Sequence, residues 1–304
     1  MRKMKLVPIV ICCLISLTAA ASVQGTFQKN LTVSGPATLE IYTRSGDVDI
    51  RTGGPGTIAI TGKIWVNDHW WDGGSHRGDV SEVEKNPPIQ QNGSNVRIDY
   101  PNSRDISISF EITVPADTTV RTHTGSGDQR IDGLKAAAQL ESGSGDMRLR
   151  DLEGGVRLHT GSGDVEAQDM SGAFTAEAGS GDIQFDQKGA GDVQVHTGSG
   201  NIDLRNVHGA LHAEAGSGDM TVDGVPTGPW EFRTGSGNVE LRLPKDASFD
   251  LDATTSSGSL NVDHPVTMTV QGDVERSRHS ARGKVGGGGQ RLTVHTGSGD
   301  IRIY

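Results

Sequence analysis

Cysteine is nearly missing from this chain, and its placement makes the absence complete. The two cysteines, Cys12 and Cys13, both lie in the first twenty residues. There Arg2, Lys3 and Lys5 precede a short apolar run, Leu6 to Leu17, and Ala19 to Ala21 offer an Ala-x-Ala cleavage site before Ser22. That is the layout of an export signal, with residues 1-21 removed, and the run is too short for a spanning helix of ~20 residues. The expected mature chain carries no thiol, so disulfides are excluded as its staples. It carries no second long apolar run either, so no membrane span after cleavage is expected. Positive charge is also scarce. Loss of the three leader cations takes the formal net charge from −10 to about −13, which argues against nucleic acid and anionic lipid as partners. Aromatic residues amount to only 4%.

Glycine is abundant, at 43 residues of 304, and it is periodic. A Gly-Ser-Gly-Asp turn places its last residue at Asp128, Asp146, Asp164, Asp182, Asn201, Asp219, Asn238 and Ser259, with outlying copies at Asp47 and Asp300. Spacings along the main run are 18, 18, 18, 19, 18, 19 and 21 residues. A fixed period in this range marks a repeat architecture. One and three residues after the turn the chain reads Met147/Leu149, Val165/Ala167, Ile183/Phe185, Ile202/Leu204, Met220/Val222 and Val239/Leu241, with polar residues between. Eight and six residues before it stand Ala138/Leu140, Val156/Leu158, Phe174/Ala176, Val193/Val195, Leu211/Ala213 and Trp230/Phe232. Strict two-residue alternation is the mark of a strand with one buried face. A second glycine column, Gly154, Gly172, Gly191, Gly209 and Gly228, marks a second turn in each period. Two strands and two turns can close only by stacking on the next coil. The chain is therefore expected to be all-β: a parallel β-solenoid of ~18–19-residue coils with neighbours about 4.8 Å apart.

The turn has two readings. Glycine supplies positive φ, and Asp hydrogen-bonds local amides, so the motif caps a turn. Parallel β-rolls with Gly-Gly-x-Gly-x-Asp repeats instead bind calcium between coils of the same length. Asp128, Asp146, Asp164, Asp182 and Asp219 are the calcium candidates. The Asp follows its glycine directly here, and Asn201, Asn238 and Ser259 replace it with neutral residues. Turn capping is the reading adopted, with no cofactor. A second column, five residues before the turn, reads His123, Glu141, His159, Glu177, His196, Glu214 and Arg233. Stacked, it makes an exposed His–Glu ladder, either a surface that avoids like-charge stacking or a pH-sensitive or metal-binding face. Its alternation points to a duplicating unit of two coils.

Residues 26-120 read as N-terminal β coils with an inserted loop, 67-88, continuous with the 121-304 repeat as one domain. A short helix is expected near 79-86, with Asp79 as its N-cap and Glu82 closing a capping box. His69, Trp70 and Trp71 in the insertion are a candidate partner or glycan contact, or a lid over the end of the stack. The run Arg282 to Gln290, with four glycines, precedes strand residues and lacks the helix and Lys-Ser/Thr of a phosphate cradle. No HExxH or G-x-S-x-G occurs, and His, Asp and Ser recur at equivalent places in many coils. Duplication yields that pattern; a single active site does not, so no catalytic residues are expected.

Taken together, Phe110-Glu-Ile-Thr-Val-Pro115, the tandem turns from 124 to 238, Leu243-Pro-Lys-Asp-Ala-Ser248 and the closing Arg282-Gly-Lys-Val-Gly-Gly-Gly-Gly289 with Thr296-Gly-Ser-Gly-Asp-Ile301 make the chain similar to a bacterial group. This is the "putative adhesin" β-strand-repeat family, a domain of unknown function. The resemblance covers nearly the whole expected mature chain. It implies a β-solenoid in exported or envelope-associated proteins and assigns no catalytic residues. The expectation is a non-catalytic solenoid, periplasmic or extracellular, that serves as a binding or structural surface for an envelope protein or glycan. End-to-end self-association through sheet edges is a further expectation. A glycan-active enzyme or carbohydrate-binding module using Trp70/Trp71 and a calcium-binding β-roll are the alternatives.

Overall fold

A computed structural model describes residues 24–66, 77–101, 105–267 and 279–304. The expected export signal, residues 1–21, and the His69, Trp70 and Trp71 segment lie outside these residues. Among the described residues ten coils stack along one axis, each with an inbound strand before the Gly-Ser-Gly-Asp turn and an outbound strand after it. The inbound strands belong to a 14-stranded sheet and the outbound strands to a 13-stranded sheet. Successive coils pair parallel and in register, as Leu140 does with Leu158 and Leu149 with Ala167. Side chains at the alternating positions turn into a thin slab between the sheets and are buried. Its bulky members touch: Phe174 and Phe185 meet across the slab with ring centroids 4.5 Å apart, and along one inbound strand Trp230 meets Phe232 edge-on at 6.0 Å. The Trp230 indole N–H donates to the Gly209 carbonyl at 3.0 Å.

Several buried positions are polar, Gln129 among them. Gln129 replaces the aliphatic residue after the first regular turn and is fully buried. Its amide nitrogen donates to the Thr124 hydroxyl (3.0 Å) and the Glu141 carbonyl (2.9 Å), while its amide oxygen accepts from Thr122. A buried amide is tolerated where its groups are paired.

The stack does not follow chain order at either end. The strand Gln290–Ser298 inserts between Trp230–Ser236 and Phe249–Ser257, and Ile301–Ile303 inserts between Val239–Arg242 and Leu260–Val262. Asp300 is therefore the ninth rung and Ser259 the tenth, where chain order had Ser259 following Asn238. The four-glycine run is the crossing that permits this. Its chain passes over Ala247–Phe249 so closely that a Cβ on Gly289 would stand 2.9 Å from the Ser248 carbonyl oxygen. At the other end Asp47 is the first rung, because Thr38–Ser45 and Val48–Thr52 pair with Thr119–Ser126 and Gln129–Asp132. Residues 57–66, 77–101 and 105–114 come between them in the chain and extend both sheets as a cap.

Within that cap the helix runs Arg77–Lys85 and buries Val80 and Val83. It starts before Asp79, so Asp79 lies in the first turn rather than at the N-cap, a place where the helix dipole still favours a carboxylate. Asp79 is therefore not the N-cap that the expected capping box requires. Glu82 Oε1 instead accepts from the Asn86 side-chain amide (2.8 Å), because Glu82 lies nearer the helix end. Glu84 Oε1 accepts the backbone N–H of Thr26 at 2.9 Å, and Gln91 donates to the Thr32 carbonyl at 2.8 Å. Both contacts occupy backbone groups of Gly25–Thr32, the outermost strand of the outbound sheet at that end, which blunts it against pairing with another chain.

Candidate functional site

The Gly-Ser-Gly-Asp turns form one continuous hydrogen-bonded column. In every rung after Asp47 the backbone N–H donates to the side-chain oxygen of the preceding rung. The column runs from Asp47 through Asp128, Asp146, Asp164, Asp182, Asn201, Asp219, Asn238 and Asp300 to Ser259, at 2.7–3.1 Å. The acceptor thus serves the next coil and not the local amide expected from turn chemistry. Asn201 and Asn238 accept as a carboxylate would. Ser259, the last rung, has no further turn amide to receive, and its hydroxyl donates back to Asp300 Oδ1 (2.8 Å). The hydrogen bonds from the Ser259 backbone N–H and hydroxyl hold the Asp300 carboxyl below the usual aspartate range.

Like charges at one-coil spacing repel. Arg148 relieves this at two rungs, reaching Asp128 Oδ2 (3.2 Å) and Asp146 Oδ2 (2.9 Å). The neutral Asn201 and Asn238 break the run further along. The calcium candidates Asp128, Asp146, Asp164 and Asp182, like Asp219, each spend Oδ1 on this column. Among the described residues no group of three or more His, Cys, Asp or Glu is arranged to hold a metal ion.

Glycine is required in the column by packing as well as by φ. Gly145 has φ +155°, and a Cβ there would stand 2.2 Å from the Gly127 carbonyl oxygen. Four residues before the turn, a column of buried hydroxyls adds a second set of inter-coil bonds. Thr197, Thr255 and Thr296 donate to the carbonyls of Gly181, Gly299 and Gly237 at 2.9–3.1 Å.

The His–Glu ladder forms in register on the outer face of the inbound sheet. His123 Nδ1 lies 3.0 Å from Glu141, His159 3.5 Å from Glu177 and His196 3.9 Å from Glu214. Arg233 pairs with Glu231 of the neighbouring column at 2.5 Å. The ladder continues beyond its predicted ends, to Tyr42 on one side and His295 on the other. At Tyr42 it meets a cluster that the sequence did not announce. Tyr42 and Tyr100 lie 6.2 Å apart, with Arg97 over the Tyr42 ring (4.5 Å) and Arg44 over the Tyr100 ring (5.2 Å).

A second unannounced feature is a depression of about 360 Å³ on the outbound face, where the cap meets the stack. Trp65 lies beside Lys63, Glu111, Asp49 and Arg130 there, and Lys63 is ion-paired with Glu111. It escaped notice because residues 63, 111, 49 and 130 meet only through the pairing of the looped-out strands.

Stacked in-register coils with repeated outward columns define a β-solenoid of the repeat class. The profile of the Toastrack DUF4097 family matches residues 37–171 and, overlapping, 80–304. The chain belongs to that family. Among solved structures it is similar to a "putative adhesin" from Bacteroides fragilis, at 13% identity over 92% of this chain and 98% of that one, TM-score 0.42. It is also similar to a "putative cell adhesion protein" from Clostridium sporogenes, at 12% identity over 91% and 98%, TM-score 0.24. No match was found among curated protein sequences.

Proposed function

We propose that this protein is an exported, non-catalytic binding surface of the cell envelope or exterior, with a glycan or envelope protein as partner. The observation that carries this reading is the repetition itself. The outer face of the inbound sheet repeats the same side-chain columns across the stack at one-coil spacing, so it meets an extended partner with many equivalent contacts. The expected export signal at residues 1–21 supports a location beyond the inner membrane. Among the described residues no helix is long and apolar enough to cross a membrane. The test is adsorption of residues 22–304 to isolated envelope material and to a panel of polysaccharides, with reducing ends and unsaturated products followed over hours. Retention without product supports the reading; product release with the kinetics of turnover overturns it.

The Trp65 depression favours a glycan-active second reading, because it sets an aromatic ring beside Asp49, Glu111, Lys63 and Arg130. If that reading holds, Glu111→Gln abolishes the product release and leaves the fold intact.

The turn aspartates act in this proposal as hydrogen-bond acceptors and require no calcium. Millimolar calcium after EDTA is expected to leave the melting temperature unchanged. A rise of several degrees would make the column a cation site.

A further inference from the structure

The inbound sheet carries a groove beside the His–Glu ladder, with a composition unlike the rest of this acidic molecule. It runs along the stack axis over four coils and holds about 290 Å³. Ala137, Gly155 and Ala173 form part of its lining, and Arg121, Gln139, Arg157 and Thr175 rise in one in-register column along it. No carboxylate lines it, although the chain has 38 acidic residues. Arg121 shares its guanidinium with Glu40 at 3.3 Å. Arg157 has no ion pair among the described residues and is exposed.

The two arginines occur on alternate coils, and each has a histidine two residues on: Arg121 with His123, Arg157 with His159. The dyads thus repeat at two-coil spacing, about 9.6 Å. Gln139 stands between the arginines as a neutral donor and acceptor.

We infer that this groove binds an acidic polysaccharide, laid along the stack axis with a carboxylate on every second sugar facing Arg121 and Arg157. The inference rests on the binding reading above and names its partner. Three features select this occupant. The guanidinium fork matches a carboxylate bidentately. The small residues let a sugar ring lie close to the sheet, and Gln139 and Thr175 offer groups for hydroxyls. An extended peptide fits less well. Its side chains repeat on one face at about 6.6–6.8 Å, out of step with coils about 4.8 Å apart, and the backbone groups of the inbound strands are already spent within the sheet.

The experiment is calorimetric titration of residues 22–304 with alginate, a polyuronate, against dextran as a neutral glycan and polyglutamate as an acidic peptide. Arg121→Gln and Arg157→Gln are each expected to weaken alginate binding about tenfold or more, the worth of a lost charge-assisted hydrogen bond, and the double variant to abolish it. Arg150→Gln removes the same charge from the outbound face and is expected to change nothing. The groove assignment is overturned if alginate does not bind, if polyglutamate binds as well as alginate, or if Arg150→Gln weakens binding equally. Adsorption of the unsubstituted chain to envelope material without any alginate binding would sink the groove and leave the binding surface standing. Absence of both in the unsubstituted chain would sink both.

Discussion

Asp, Asn and Ser occupy one structural position in the turn column, and the position asks for one thing: an oxygen aimed at the amide of the next coil. Charge is incidental there and mildly unfavourable where carboxylates adjoin. Asp164 has Asp146 before it and Asp182 after it, so Asp164→Asn is expected to hold or slightly raise the melting temperature at low salt. Asp164→Ala removes the acceptor and is expected to cost about 0.5–1.5 kcal/mol, read from chemical denaturation. Equal losses in the two variants would show that the carboxylate charge, and not the acceptor, is what the turn needs. Gly145→Ala is the harsher change. Positive φ alone costs about 1–3 kcal/mol, and the 2.2 Å approach to Gly127 adds a clash with backbone that cannot move aside.

Acid sensitivity belongs to the same scale. The Asp300 carboxyl is lowered by its bonds from Ser259, and Asp151 is lowered by its hydrogen bond and charge pairing with Lys188. For a depressed carboxylate the stabilisation is present above the unfolded pKa, about 3.9, and is lost as pH falls through the folded pKa. The melting temperature is therefore expected to stay level from pH 7 to 5 and to fall below pH 4. Asp300→Asn, which keeps an acceptor oxygen, is expected to flatten part of that fall. An unchanged acid limb in Asp300→Asn would place its cause in other carboxylates.

At the scale of the element, the informative piece is the last coil, residues 290–303. It supplies the parallel strand partners of both Phe249–Ser257 and Leu260–Val262. Deleting Gln290–Tyr304 is expected to expose residues 245–285 to protease while residues 38–242 stay protected. Continued protection of 245–285 would mean that the displaced coil docks directly on residues 230–242, as chain order alone would have it. The insertion was not readable from spacing. The 21-residue step to Ser259 and the outlying Asp300 looked like irregular copies, and only the pairing shows that one sits inside the other. Asp47 was the same case at the opposite end, 81 residues from the rung it stacks on.

For the whole molecule, the sequence determined the kind of fold. Period-2 alternation and an 18–19-residue glycine period leave few ways to bury Val, Ile and Leu other than stacked two-strand coils, since each coil has a bare face until its neighbour covers it. It also determined the in-register side-chain ladders, because identical coils stack residue over residue. The His–Glu ladder follows from counting alone. Tertiary structure alone decided what depends on non-periodic pairing: the order of the terminal coils, the cap built from residues 57–66, 77–101 and 105–114, the Tyr42–Tyr100 cluster and the Trp65 depression. Those contacts join residues tens of positions apart through loops of irregular length, and their geometry is set by how strands find free sheet edges, which no local pattern encodes. The direction of the turn hydrogen bonds was likewise hidden. A single coil shows an Asp near its own amides, and only a second coil above it supplies the N–H that Asp receives.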